Sequence, residues 1–133
     1  MTSKVIYKNG LRTICTHLQS GNEIITDAPK DNNGNGEFFS PTDLVATALA
    51  SCMITIMGIA ANAHKINIEG LRAEVLKIME SNPRRIDKIE IKMYFPNQIY
   101  TDKEKQILEN AARNCPVAKS LHSNLTQDIT FIY

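Results

Sequence analysis

Residues 40–63 read SPTDLVATALASCMITIMGIAANA, and no charged side chain stands between Asp43 and His64. The run opens with Ser40, Pro41 and Asp43: a hydroxyl at the N-cap, a proline at the first helical position and an acid near the positive end of the dipole. No proline interrupts the run after Pro41, and Ala, Leu and Met favour helix. The spacing predicts one helix over residues 41–63. A helix that is apolar on every side must be buried on every side. At 1.5 Å per residue it is about 36 Å long, more than the short elements elsewhere in the chain can wrap. A second copy is therefore expected to cover it, in a homodimer with this helix near its centre. Cys52 sits in its middle.

The same run is long enough to cross a bilayer. Ala and Gly dilute it, however, Thr47, Ser51, Thr55 and Asn62 add polar groups, and no aromatic belt flanks it. It reads as a core helix, with no membrane partner. A chain of 133 residues implies a single domain, 1–133. With 15 basic and 14 acidic residues, a net charge of +1, nothing points to nucleic acid or a polyanionic substrate. The opening MTSKVIYKNG lacks the apolar core of a signal peptide, which places the protein in the cytoplasm as an expectation. Three well-separated cysteines, Cys15, Cys52 and Cys115, argue against a disulfide framework and leave redox or catalytic use open.

Outward from the helix the class is α+β. Strands are expected over 4–7 and 11–18 around the turn Lys8-Asn9-Gly10, and over 23–26 after Ser20-Gly21-Asn22. The stretch DAPKDNNGNG, 27–36, reads as loop and delivers the chain to Phe38-Phe39, placed to staple onto the helix start. Apolar residues then recur at every second position over 71–80 and 86–95, an antiparallel hairpin turned at Ser81-Asn82-Pro83. Thr101 and Glu104 form a capping box for a helix to about Asn114. Pro116 breaks it, leaving Cys115 at or near the N-cap of a short second helix. Residues 126–133 close the chain as a strand.

Two cysteines invite chemistry. At a helix N-terminus, free N–H groups and the dipole favour a thiolate, so Cys115 is expected to ionise more readily than usual; it can equally be a small capping residue. Cys52 shares a helical stripe with Val45, Ala48, Leu49, Thr55, Ile56 and Ile59. A thiol there resists ionisation unless another segment brings a cation, and a buried free cysteine can simply be a small hydrophobe.

S-P-T-D-L-V-A-T-A-L-A-S-C followed by C-P-V-A-K-S-L and a terminal strand resembles the OsmC/Ohr family of osmotically inducible and organic hydroperoxide resistance proteins. T-D-A-P…S-P-T-D-L is similar to its OsmC-like branch. The resemblance implies an intertwined homodimer in which antiparallel sheets enclose long central helices. It implies a thiol peroxidase acting on small organic hydroperoxides and recycled by an external dithiol, with Cys52 peroxidatic and Cys115 resolving. It also implies an arginine from the N-terminal hairpin that holds the thiolate, here Arg12, and a glutamate ten residues before the first cysteine that orients it. Thr42 occupies that position. Asp43, nine residues from Cys52, lies about 180° around the helix from the sulfur and is expected to cap. Arg12 is thus expected to be less ordered than in the family. Cys15 and His17 share a strand face, but no second pair has zinc-like spacing, so neither metal nor cofactor is implied. The alternative function is a non-catalytic dimer of the same fold that binds an apolar small molecule between its subunits.

Overall fold

Turns at Gly10 and Gly21, with φ of 78° and 74°, divide the N-terminal segment into three strands: β1 (Ser3–Lys8), β2 (Arg12–His17) and β3 (Glu23–Asp27). The left-handed φ at each turn is one that glycine adopts without steric cost. The computed structural model describes Met1–Tyr133, and its residues gather into two units, Met1–Val45 and Ala46–Tyr133.

In the first unit the strands form an antiparallel sheet in the order β1-β2-β3. Arg12 stands directly opposite Asp27, and Cys15 opposite Ile24. The segment read as loop folds back tightly. A single turn of 3-10 helix covers Lys30–Asn32, Gly34 N–H donates to the Pro29 carbonyl at 3.0 Å, and Asp27 N–H donates to the Phe39 carbonyl at 3.1 Å. A Cβ on Gly34 would fall 1.7 Å from the Ala28 carbonyl oxygen. Glycine there allows the backbone to approach that closely. Phe38, expected to staple onto the helix start, lies against Arg12, its ring centroid 4.7 Å from the guanidinium carbon.

Helix α1 (Pro41–His64) begins as the sequence predicts. Asp43 N–H donates to Ser40 Oγ at 3.0 Å, and Ser40 N–H donates to Asp43 Oδ2 at 2.8 Å. This reciprocal pair is a capping box with aspartate as its acid. Within one chain α1 buries only Ala46, Leu49, Ala50, Met53, Met57 and Ala61, and the remainder is the part that the sequence expects a second copy to cover. The three-and-four spacing of the buried residues defines a single face. On the other side Val45 is 37 % and Ile59 61 % exposed, although the residues there are also largely apolar.

The second unit builds its core on that buried face. Strands β4 (Arg72–Glu80) and β5 (Arg85–Tyr94) pair antiparallel, and β6 (Thr126–Ile132) joins β5 in parallel. The sheet is therefore mixed, where the sequence suggested antiparallel pairing throughout. A parallel pair needs a crossover rather than a tight turn, and α2 (Asp102–Arg113) with α3 (Pro116–Ser120) supplies it. Ile89, Ile91 and Met93 of β5 are fully buried with Leu49, Met53 and Met57 of α1 and Leu108 and Ala112 of α2. Thr101 and Glu104 complete the capping box predicted for α2.

Candidate functional site

In the second unit, Pro116 ends α2 and starts α3, and Cys115 is the N-cap between them, with extended backbone (φ −64°, ψ 149°). Its Sγ accepts a hydrogen bond from Ala118 N–H at 3.3 Å. Cys115 is fully buried and Cys52 partly so, and both are free thiols. Cys52 packs against the core cluster that contains Cys115, near enough to influence the ionisation of the Cys115 thiol. That core includes Met53 and Leu49 from the helix of Cys52 itself. The fold thus brings together two sulfurs that are remote in sequence, in largely apolar surroundings.

The expected easy ionisation of Cys115 is corrected. Burial pushes its thiol up from the ordinary range, and the neighbouring Cys52 adds to the rise; the Ala118 N–H works against both without prevailing. The helix-end donors are present, but burial removes the water that would solvate a thiolate.

The first unit holds the arginine. Arg12 Nε donates to Asp27 Oδ1 at 2.7 Å and Nη2 donates to Asp27 Oδ2 at 2.9 Å. Nη2 also donates to Glu37 Oε2 at 2.5 Å. The Asp27 side chain is 1 % exposed and the Glu37 side chain 63 %. Asp27 further accepts from Glu37 N–H at 3.1 Å. Hydrogen bonds from Arg12 outweigh burial and hold the Asp27 carboxyl below the usual carboxylate range; the same contacts push the guanidinium further up. The expectation that Arg12 lacks an orienting acid is therefore corrected. It has two, neither at position 42, and Thr42 Oγ1 instead lies 3.1 Å from Ser40 Oγ.

Asp27 had a readable signal. Counting back from the turn at Gly21 places residues 12 and 27 opposite each other, and a cross-strand Arg–Asp pair is a favourable one. Glu37 had none, because its contact depends on how the 27–40 segment folds back. Cys15 lies on the other face of β2 from Arg12, its Sγ 3.7 Å from Thr13 Oγ1. His17 Nδ1 is 2.7 Å from Ser20 Oγ.

A family model described as OsmC-like protein matches residues 34–130. A candidate osmotic stress induced and detoxification response protein from Psychrobacter arcticus 273-4 is 54 % identical over 98 % of this chain and 95 % of that one, with a TM-score of 0.94. At 15 % identity, an organic hydroperoxide resistance protein OsmC from Legionella pneumophila covers 100 % of this chain and 98 % of its own, with a TM-score of 0.79. A candidate organic hydroperoxide resistance protein from Vibrio cholerae, with captopril in one of its active sites, is 13 % identical over 98 % of this chain and 91 % of that one, with a TM-score of 0.76. No match was found among curated proteins.

Proposed function

The chain belongs to the OsmC-like protein family, and from that premise we propose that it is a cysteine-based peroxidase that reduces organic hydroperoxides in stress defence. The observation that carries this reading is the meeting of Cys52 and Cys115 as free thiols in an apolar setting. The Cys52 thiolate attacks the terminal peroxide oxygen and the O–O bond breaks. Cys52 becomes a sulfenic acid and the alkoxide leaves, protonated, as the alcohol. The Cys115 thiol then condenses with the sulfenic acid, forming a disulfide and releasing water. An external dithiol returns both cysteines to thiols and is itself oxidised to a disulfide. Arg12 is the cation assigned to favour the Cys52 thiolate.

The family's homodimer supports this reading from another side. The bare apolar stripe of α1 carries Cys52 among residues such as Val45 and Ile59, so a second chain would bury the sulfur's surroundings. Light scattering at micromolar concentration should give about twice the chain mass of 14.9 kDa. Ile59→Asp, at the most exposed apolar position of that stripe, should shift the population toward monomer.

The deciding experiment is consumption of tert-butyl or cumene hydroperoxide in the presence of a dithiol. Wild type should turn over and Cys52→Ser should not. After one equivalent of peroxide, peptide mapping should find a Cys52–Cys115 disulfide and reduced Cys15. Absence of turnover in the wild type would favour the second reading, a non-catalytic dimer that binds an apolar small molecule, which the bare stripe of α1 also suits.

A further inference from the structure

Asparagine is followed by glycine three times in this chain, at Asn9-Gly10, Asn33-Gly34 and Asn35-Gly36. Glycine has no Cβ to hinder its backbone nitrogen, so that nitrogen can close on the side chain of the preceding asparagine. All three asparagines are exposed, and as dipeptides the three are equivalent. The fold makes them unequal. Gly34 N–H donates to the Pro29 carbonyl at 3.0 Å, and its Cα is pressed so closely on Ala28 that a Cβ would fall 1.7 Å from the carbonyl oxygen. Gly36 N–H donates to the Ala28 carbonyl at 3.3 Å, and a Cβ there would lie 3.0 Å from the Lys30 side chain. Gly10 sits in the turn of three residues between the paired Lys8 and Arg12. Its N–H donates to no group of the chain, and nothing lies within 4 Å of where its Cβ would be.

We propose that Asn9 is a site of spontaneous deamidation, and that closure of the 27–36 segment protects Asn33 and, less fully, Asn35 from the same reaction. The Gly10 nitrogen gives up its proton and attacks the side-chain carbonyl carbon of Asn9. A C–N bond forms to close a five-membered succinimide, the bond to the amide nitrogen breaks, and that nitrogen leaves as ammonia. One water then opens the ring at either carbonyl, giving aspartate or isoaspartate. The sum is amide plus water to carboxylic acid plus ammonia, with no change of oxidation state. A hydrogen bond on the attacking nitrogen opposes the first step twice. Its acceptor stabilises the proton that must leave, and it holds the nitrogen away from the side chain. Gly34 and Gly36 carry that restraint and Gly10 does not. The product at Asn9 places a carboxylate between Lys8 and Arg12, and its isoaspartyl form adds a methylene to the main chain of the turn. Turn length sets the register of a hairpin, so the modification falls where it bears on the pairing of β1 with β2.

The test is a time course of the full chain in warm, mildly alkaline buffer, run folded and in denaturant. Peptide mapping by mass spectrometry follows the replacement of NH2 by OH at each of the three positions. In the folded protein Asn9 should be modified at least about fivefold faster than Asn33, the weight of one hydrogen bond of ordinary net strength, with Asn35 between them. In denaturant the three should react at nearly equal rates, because only the fold distinguishes them. Each event exchanges a neutral amide for a carboxylate, so loss of one lowers the formal net charge from +1 to zero. Isoelectric focusing should therefore show one early acidic band from the folded protein. Asn9→Ser, a change at an exposed turn position, should lack that band while remaining folded. The proposal is overturned if Asn33 or Asn35 reacts as fast as Asn9 in the folded chain. It is overturned equally if the same order persists in denaturant, or if the acidic band survives in Asn9→Ser.

Discussion

Asp27 and Cys115 are both buried acids, and burial pushes both the same way, toward the protonated form. They end on opposite sides of their ordinary range. Asp27 meets a guanidinium with both carboxylate oxygens, and those bonds outweigh burial. Cys115 meets a backbone N–H and a second thiol, with no cation among its partners, and burial prevails. The difference teaches that a helix N-terminus alone does not activate a buried cysteine; a full opposite charge in contact does what a partial one does not. Under the proposed peroxidase reading the two sulfurs have different needs. An attacking cysteine must be a thiolate, whereas a resolving cysteine can remain a thiol until a sulfenic acid forms beside it.

The sharpest way to break this contrast is to remove the charge. Arg12→Ala should slow the reaction of Cys52 with alkyl peroxide by about tenfold or more, the range expected when an ionising group loses one opposite charge. Stopped-flow consumption of cumene hydroperoxide measures it, and an unchanged rate would release Arg12 from the proposed role.

The carboxylate half of the contrast appears as pH-dependent stability. The Asp27 carboxyl is depressed below its unfolded value of about 3.9. Its pairing with Arg12 therefore stabilises the fold fully above that value and is lost as pH falls through the folded one. Thermal unfolding of wild type and Asp27→Asn should show a Tm gap near neutrality that narrows on acidification. A gap independent of pH would mean that the side chain contributes packing rather than charge.

The thiol half is checked by alkylation. At neutral pH iodoacetamide should modify Cys115 more slowly than Cys15, because burial both raises the Cys115 thiol and shields it. Equal rates would place Cys115 in an open, ionised state that the structure does not support. The smallest effect is expected at the position where the family resemblance calls for an acid. Thr42→Glu should change the peroxide rate by less than about threefold, the scale of one exposed charge interaction, since Asp27 and Glu37 already hold Arg12. A large acceleration would show that their hold is insufficient.

Much of this molecule was determined by the order of its residues. The cap at Ser40 and Asp43, the period-two alternation around Ile89, Ile91 and Met93, the capping box at Thr101 and the break at Pro116 each act within a few positions, so the elements they define could be read directly. The two cysteine motifs were legible for the same reason, and so was the N-cap placement of Cys115. The features beyond the reach of the sequence depend on contacts between residues remote along the chain. Whether α1 is covered on one face or all round depends on the elements that pack against it, and one chain supplies only the face containing Leu49, Met53 and Met57. The parallel docking of β6 results from the path taken by α2 and α3. The direction in which Cys115 shifts depended on the balance between desolvation and its neighbours. Glu37 reaches Arg12 only because Gly34 lets the 27–40 segment close against Ala28. Local propensities act through covalent neighbours, whereas burial and charge pairing act through space, and only the folded chain decides which groups share it.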